Sequence, residues 1–259
     1  MFERWRRRRS TAQSTAPRIA DGLAVYAIGD IHGRLDLLTA LLAQVAADGE
    51  RHPADQRRQL VFLGDYIDRG TESRGVIDAL LRPGWPDFPR IFLMGNHEDA
   101  MLEFLDEQSD GVAWLTYGGL ETLLSYGVAI RRLPTSAASA AELRETLRAA
   151  VPQDHVDFLR RCVLSHAAGD YVFVHAGVRP GRPLEQQDRR DLLWIRDEFL
   201  RVAGALPGKV VVHGHTICDA PQDLGHRIDI DTGAFVSGRL TCLVLRGTAR
   251  RFLTTGPSS

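Results

Sequence analysis

Five apolar segments of this chain, each readable as a buried strand, end in a short cluster of acidic, histidine, asparagine and glycine residues. The segments are LAVYAIGDIHGR (Leu23–Arg34), QLVFLGDYIDRG (Gln59–Gly70), RIFLMGNHE (Arg90–Glu98), YVFVHAG (Tyr171–Gly177) and KVVVHGHT (Lys209–Thr216). Ligands in sheet-based domains gather beyond the carboxyl ends of the strands. We therefore expect a fold that brings the ends of these five strands to one place.

The order of the predicted elements indicates a mixed α/β fold. Strands at Leu23–Ile28, Leu60–Leu63 and Ile91–Met94 are separated by helical patterns at Arg34–Ala47 and Glu72–Leu81. An alternation of this kind is typical of βαβ units. Near the C-terminus the pattern returns to strands, at Tyr171–Val174, Val210–Val212, Arg227–Ile230 and Leu240–Leu245.

The segment from Asp99 to about Ala168 has a helical period throughout and lies between the third and fourth clusters. Ser139 and Glu142 form a capping-box pattern that predicts a helix to Ala149. Pro152 predicts the start of another helix, which ends at about Ser165. We interpret the segment as a helical insertion, a candidate lid or substrate-shaping element.

Length and composition favour one globular domain. The chain has 259 residues, and Arg6–Arg9 lie in a polar N-terminal stretch. We predict a disordered basic tail at 1–20, one domain at 21–250 with the insertion at about 99–168, and a C-terminal tail at 251–259. A weak attachment of the basic tail to acidic lipid or nucleic acid stays open as an alternative.

Charge and cysteine content exclude several classes of protein. The net charge of −1 argues against a stable nucleic-acid partner, which would require a surplus of positive charge. No apolar stretch reaches the ~18 residues of a membrane span. The three cysteines form no CxxC pair and no disulfide framework, so we expect a protein of the reducing cytoplasm. We separately expect a monomer.

The clusters supply ligands for two metal ions. One intervening residue puts Asp30 and His32 on the same side of an extended segment, where they can hold one ion. The carboxylate of Asp65 can bridge two ions about 3.5–4 Å apart. The candidate ligands in chain order are Asp30, His32, Asp65, Asn96, His175 and His215. This mixture of carboxylate, imidazole and amide suits Mn, Fe or Zn better than calcium.

Such a pair of ions generates hydroxide at neutral pH and neutralises the charge of a phosphoryl transition state. Attack on a phosphate monoester also requires a proton for the leaving oxygen. His97 follows Asn96 without being needed as a ligand, and Asp68 could orient its imidazole and raise its pKa. Arg69 could bind phosphate oxygens with its guanidinium fork.

The motifs GDIHG, GDYIDRG and GNHE, followed by HAG, WIR and GHT, resemble the calcineurin-like metallophosphoesterase superfamily. Within it they resemble the phosphoprotein phosphatase branch with its bacterial and phage members, over Leu23 to about Leu245. The resemblance implies a two-sheet β-sandwich flanked by helices. It also implies a serine/threonine protein phosphatase in which metal-bound hydroxide attacks phosphorus in line.

The same resemblance implies two divalent metal ions, with Mn preferred over Fe, Zn or Mg, held by the six candidate ligands. It implies that His97 and Asp68 form the proton-donating pair, and that Arg69, Asn96 and Arg196 contact the phosphate. The substrate would be a phosphoprotein or a small phosphoester. Arg196 lies in the short motif WIR, so a surface helix arginine remains its alternative interpretation.

Two positions depart from the pattern of the superfamily. Many members have a second histidine two residues after the one in GH, where this chain has Ile217. Asparagine often precedes the paired glycines of the insertion, where this chain has Tyr117. His213 is expected to be a core residue or a support of the ligands rather than a ligand. Asp231 could support the ligands or shape a hairpin.

Two other functions stay open at this point. Hydrolysis of dinucleoside polyphosphates such as diadenosine tetraphosphate uses the same motifs in bacterial relatives. A catalytically silent phosphoprotein-binding module is a possibility of a different class. Loss of His97, Asp68 or a ligand would be the expected mark of such a module, and all of these residues are present.

Overall fold

The computed structural model describes residues 16–51, 56–83 and 87–256. In this part of the chain, ten strands form two five-stranded sheets. The strands are β1 (Leu23–Ile28), β2 (Arg57–Phe62), β3 (Arg90–Phe92), β4 (Ser165–Ala168), β5 (Tyr171–Val174), β6 (Val210–His213), β7 (Gln222–Asp223), β8 (Arg227–Asp229), β9 (Thr241–Arg246) and β10 (Ala249–Thr254).

Helices lie between these strands along the described chain. They are α1 (Leu35–Glu50), α2 (Ser73–Leu81), α3 (Asn96–Leu105), α4 (Val112–Trp114), α5 (Leu120–Ser125), α6 (Ala137–Ala150), α7 (Gln153–Arg161), α8 (Arg189–Trp194), α9 (Asp197–Leu200) and α10 (Ala234–Ser237). A π-helical turn at Leu115–Gly119 joins α4 to α5, and a 3₁₀ turn lies at Leu184–Gln186.

The strand order directs the predicted clusters to one edge of the fold. The first sheet has the order β10-β9-β1-β2-β3, and β1, β2 and β3 are parallel. The second has the order β4-β5-β6-β8-β7, and β5 and β6 are parallel. Each of the five clusters follows one of these parallel strands, as the apolar segments predict.

The side chains of the strands divide the core into layers. Val25 and Ala27 of β1 pack with Phe173 and Val212 of the second sheet, between the two sheets. On the other face of β1, Tyr26 and its neighbours pack against the helices. A third apolar cluster covers the outer face of the second sheet. The predicted two-sheet sandwich flanked by helices is therefore confirmed.

Several predicted boundaries differ from the structure. Residues 165–168, predicted to end the helical insertion, form β4, because they pair with β5 in an antiparallel register. The helix expected to begin at the Ser139 capping box begins three residues earlier, since Ser136 caps it and Ser139 is the third residue of the box. The first difference arises from tertiary pairing, and the second from a competing local cap.

The two predicted tails also differ at their inner ends. Ile19 is fully buried and its N–H donates to the carbonyl of Gly247, 2.9 Å away. β10 continues to Thr254 and pairs with β9, so residues 251–254 belong to the first sheet. The arginine run Arg6–Arg9 lies outside the described residues. In the described ranges, no helix combines the length and the apolar character required to cross a bilayer.

Candidate active site

The six predicted metal ligands are all buried at the edge where the parallel strands end. Two groups of closely spaced His and Asp side chains lie there and share Asp65; they bring together four of the six predicted ligands, with His97, the predicted proton donor, beside them. One group consists of Asp65, His32 and His97, and the other of Asp65, His175 and His215, with ligand atoms within 4.8 Å of one another in each. Asp65 Oδ2 lies 3.4 Å from His32 Nε2, and Asp65 Oδ1 lies 3.5 Å from His175 Nε2. This geometry suits a carboxylate that bridges two ions.

Hydrogen bonds to the backbone orient two of the imidazoles. His32 Nδ1 donates to the carbonyl of Ile67, and His175 Nδ1 donates to the carbonyl of Leu63, each at 2.9 Å. A ring whose Nδ1 carries the proton presents Nε2 as a lone pair, and such bonds commonly support metal-ligating histidines. Asn96 Oδ1 lies 2.9 Å from His175 Nε2, so the amide faces the same space.

Two buried polar atoms at this site have no hydrogen-bond partner in the described structure, Asp30 Oδ1 and His215 Nε2. The other oxygen of Asp30 accepts a bond from the His215 N–H at 2.9 Å. Buried polar atoms without partners are costly, and a metal ion would satisfy both. The residues present therefore fit two divalent cations.

Burial also gives the histidines the protonation state that metal binding requires. It lowers the pKa of His32 to about 3 and that of His215 to about 2, and it lowers the pKa of His175 as well. Neutral imidazoles are the form that ligates metals. Burial, with the charges of Asp231 and Asp65, raises the pKa of Asp30. A divalent cation would offset this repulsion between carboxylates.

Most of the described non-glycine residues with positive φ belong to this site. They are His32 (47°), Asp65 (50°), Asp68 (72°), Arg69 (67°) and His215 (66°), and the sixth is Glu107. The left-handed region disfavours residues with a Cβ, and such strain persists only where the surrounding structure enforces it. The sharp turns after the strands therefore aim these side chains into the site.

His97 lies beside the ligands and is bonded to Asp68. His97 Nδ1 is 2.6 Å from Asp68 Oδ2, while His97 Nε2 is 3.9 Å from Asp65 Oδ2. Burial alone would lower the pKa of His97, but the charge of Asp65 and the bond to Asp68 outweigh it and raise this pKa. In this respect His97 differs from His32, whose pKa is lowered.

The two predicted phosphate-binding arginines lie on connections that follow strands of different sheets, β2 for Arg69 and β5 for Arg196. Arg69 follows β2, and its guanidinium lies 4.9 Å from the ring centre of Phe235. Arg196 is exposed, at the start of α9, and its Nη1 donates to the carbonyl of His215 at 3.1 Å. The structure thus brings Arg196 to the site, rather than leaving it on a remote surface helix.

A cavity of about 460 Å³ opens over the ligands. Arg69, Asn96, His97, Arg196 and His215 contribute to its wall. Trp114 of α4, Tyr117 of the π-helical turn and Trp194 of α8 also line the cavity. A second cavity of about 730 Å³ adjoins the first, since Glu103 and Trp194 line both.

Sequence reasoning assigned no role to Glu98, which is fully buried. Its carboxylate accepts the backbone N–H groups of Asp65, Tyr66, Ile67 and Gly95. Glu98 therefore fixes the loop that carries Asp65. Glu98 is the third residue of α3, and the bond that it accepts from the Gly95 N–H is the glutamate half of a capping box, which a Glu at this position of a helix start could have indicated. A Cβ at Gly95 would lie 2.2 Å from Asp65 Oδ1, so only glycine fits there.

His213 and Asp231 lie behind the ligands. The ring of His213 contacts the carbonyl of Gly214 and the guanidinium of Arg227, at 3.1 and 3.3 Å, and is in neither ligand group. It is a core residue, in line with the favoured interpretation. Asp231 Oδ1 accepts the N–H of Gly233 at 2.9 Å. Asp231 therefore shapes the turn before α10, and its charge also acts on Asp30.

Three comparisons with known proteins agree with this arrangement. The chain is 31% identical over 221 residues to serine/threonine-protein phosphatase 1 of Salmonella typhimurium, covering 84% of this chain and 89% of the relative. It is 30% identical over 234 residues to the asymmetrical bis(5′-nucleosyl)-tetraphosphatase PrpE of Bacillus thuringiensis, covering 83% and 88%. A solved protein serine/threonine phosphatase from Saccharomyces cerevisiae shares the fold, with a TM-score of 0.53 at 16% identity over 94% of this chain and 85% of that one.

The family model for calcineurin-like phosphoesterases matches residues 23–225, which span all five clusters. These residues include the five parallel strands that precede the clusters and the buried Asp, His and Asn side chains of the site, and the chain belongs to the calcineurin-like phosphoesterase family.

Proposed function

We propose that this metal-dependent phosphoesterase removes phosphate from phosphoserine and phosphothreonine in proteins. The observation that carries the proposal is the pair of Asp68 and His97, in which Asp68 Oδ2 lies 2.6 Å from His97 Nδ1 while His97 itself lines the cavity. A serine or threonine alkoxide is a poor leaving group and needs a proton as the ester bond breaks. A buried imidazole with a raised pKa supplies that proton.

Two divalent cations held by the six candidate ligands would supply a nucleophile at neutral pH and offset the charge of the phosphoryl group. We propose Mn²⁺ for this role, because imidazole and amide ligands favour it over Mg²⁺. Asp65 is positioned between the two groups of ligands. Buried, neutral His32, His175 and His215 offer lone pairs without needing to lose a proton first.

The remaining residues bind and orient the ester. Arg69 and Arg196 line the cavity and carry the positive charge that a phosphate dianion requires. The amide oxygen of Asn96 lies 2.9 Å from His175 Nε2, so Asn96 would contact both an ion and a phosphate oxygen. His97 Nε2 then donates the proton to the leaving oxygen, and Asp68 stabilises the charged imidazole through Nδ1.

The adjoining cavity supports a protein substrate. It is larger than the first, and it is lined by basic and acidic side chains, among them Arg160, Arg190, Asp99 and Glu103. A peptide that places its phosphoserine over the ligands would run into this cavity past Trp194. The unpaired thiols of Cys162, Cys218 and Cys242 support a cytoplasmic location for the protein.

Hydrolysis of dinucleoside polyphosphates is the second candidate. Tyr117 and Trp194 line the cavity and are well exposed, so they could stack on a base. A relative of similar identity is named for that activity. The leaving group of such a substrate is itself a phosphate, which departs readily. The Asp68–His97 pair would then add little to its rate.

The test is a substrate panel with the full-length protein and Mn²⁺. We expect kcat/KM to be highest for phosphoserine and phosphothreonine peptides, lower for p-nitrophenyl phosphate, and lowest for diadenosine tetraphosphate. A preference for diadenosine tetraphosphate would favour the second candidate. Tight binding of phosphopeptides without turnover of any substrate would favour the silent binding module.

A further inference from the structure

The carboxylate of Asp68 is held by more than its histidine. Asp68 Oδ2 accepts a hydrogen bond from Trp114 Nε1 at 2.9 Å, and Asp68 Oδ1 accepts one from the hydroxyl of Thr122 at 2.6 Å. All three side chains are buried, with exposures of 0% to 3%. With the imidazole of His97, three donors therefore converge on one carboxylate from which water is excluded.

Thr122 also holds the backbone of Asp68. The Asp68 N–H donates to Thr122 Oγ1 at 2.9 Å and to Ser73 Oγ at 3.0 Å. Asp68 has a positive φ of 72°, a conformation that costs free energy unless its surroundings enforce it. The two hydroxyl groups enforce it from outside the loop that carries Asp68.

Trp114 and Thr122 both come from the helical segment between α3 and α6. The same segment binds Arg69, whose backbone N–H donates to the carbonyl of Gly118 at 3.0 Å. Trp114 packs against Phe104 with ring centres 5.7 Å apart, and it also forms part of the cavity wall. The element that shapes the cavity is therefore bonded to the acid pair beneath it.

We propose that Trp114 and Thr122 are positioning residues for proton donation, fixing Asp68 so that it holds His97 Nδ1–H and directs Nε2 at the leaving oxygen. The inference rests on the proposed donor role of His97. An Asp68 carboxylate with one donor could rotate about its side-chain bonds. With donors on both oxygens its plane is fixed, and the orientation of His97 is fixed with it.

Replacing the two side chains by matched residues tests the inference. Trp114→Phe keeps an aromatic ring but removes the N–H, and Thr122→Val removes the hydroxyl at nearly constant shape. For each variant we expect kcat on alkyl phosphates such as phosphoserine to fall about tenfold, a part of the roughly 10²–10⁴-fold worth of general acid catalysis. KM should change little. The loss should shrink for p-nitrophenyl phosphate, whose phenol leaves without help.

Two controls separate positioning from a general loss of structure. Thr122→Ser retains the hydroxyl and should restore most of the activity lost in Thr122→Val. Tyr126→Phe removes another buried hydrogen bond of the same helical block, the 2.8 Å contact to His155, whose other ring nitrogen bonds to Asp78 rather than to Asp68. It should reduce thermal stability without any dependence of kcat on the leaving group.

The decisive measurement combines Trp114→Phe with His97→Asn. If Trp114 acts through the donor, its replacement should cost nothing further once His97 is Asn, so the two effects are not additive. Additive losses, with His97→Asn alone showing the dependence on the leaving group, would overturn the positioning role and leave the donor role intact. A His97→Asn variant with equal losses on all esters would overturn the donor role itself.

Discussion

Replacement of His97 by Asn separates a proton donor from a metal ligand more sharply than any other single change in this protein. His97 lies in a group of potential ligands with His32 and Asp65, yet its Nδ1 is bonded to Asp68 at 2.6 Å. The amide of asparagine can still donate a hydrogen bond to Asp68, but it has no acidic proton to transfer to the leaving oxygen. The buried carboxylate of Asp68 keeps its bonds from Trp114 and Thr122, so we expect the variant to fold.

The expected loss of rate follows from the role of His97 as a general acid. A histidine of ordinary pKa 6.5 is about one-quarter protonated at pH 7, and the raised pKa of His97 increases the donating fraction. Loss of the donor should reduce kcat on phosphoserine by about 10²–10⁴-fold. This range corresponds to about 2.7–5.4 kcal/mol of transition-state stabilisation, at 1.36 kcal/mol for each factor of ten.

The assay compares esters that differ only in their leaving group. Single-turnover and steady-state rates of the wild type and His97→Asn are measured on a phosphoserine peptide, phenyl phosphate and p-nitrophenyl phosphate. Bound metal is measured on the same preparations. We expect the ratio of wild-type to variant rates to fall steadily as the leaving group becomes more acidic, with metal content unchanged.

Two results would contradict the reasoning. Loss of one ion from the variant would make His97 a ligand. A rate ratio that is the same for all three esters would make it a contact to the phosphate group rather than to the leaving oxygen. Asp68→Asn should show the same trend as His97→Asn with a smaller loss, because Asp68 acts only through the imidazole.

Three further predictions concern the metals and the phosphate site. Asp65→Asn should abolish turnover and lower the bound metal, since Asp65 faces both ligand groups; two retained ions with normal turnover would exclude bridging. Exhaustive chelation should inactivate the enzyme, and Mn²⁺ should restore it at least as well as Mg²⁺; full activity with metal content near zero would rule out the metal mechanism. Gly118→Ala should displace Arg69 and so weaken inhibition by phosphate. It should lower kcat/KM by about 10- to 100-fold, which is the scale of losing one hydrogen bond to a charged group. The added Cβ would lie 2.7 Å from Arg69 Cγ, whereas Gly127→Ala, also at positive φ but with nothing within 4 Å, should affect stability alone.

The sequence predicts some features of the fold and of the site and misses others. Both ends of strand Tyr171–Val174 are predicted correctly, because a short apolar run bounded by polar residues is typical of a buried strand. β10 is missed, since Ala249–Thr254 (ARRFLT) places two adjacent arginines before two adjacent apolar residues and so lacks the alternation of a half-buried strand, and its pairing with β9 comes only from the tertiary fold. Short edge strands of this kind carry little local signal.

For the site, the motifs predict which side chains converge, because each follows a parallel strand. They cannot predict how those side chains are held. Thr122 lies 54 residues from Asp68, and Trp114 lies 46 residues from it, and nothing in their local sequence marks them as partners of a carboxylate. Pairings over such distances depend on how the helical segment folds back over the strand ends.

The left-handed backbone of the site has a consequence for attempts to make this protein more heat-tolerant. Each of the five residues with positive φ gives up about 1 kcal/mol relative to a relaxed backbone, so together they forgo about 5 kcal/mol. That sum is comparable to the net stability of many domains. Asparagine or glycine would recover part of it where the side chain itself bonds little, as at His215, whose buried Nε2 has no hydrogen-bond partner in the described structure. A selection for survival at high temperature alone would therefore favour replacements at residues proposed to hold metal or phosphate, and we expect its most stable products to have lost turnover.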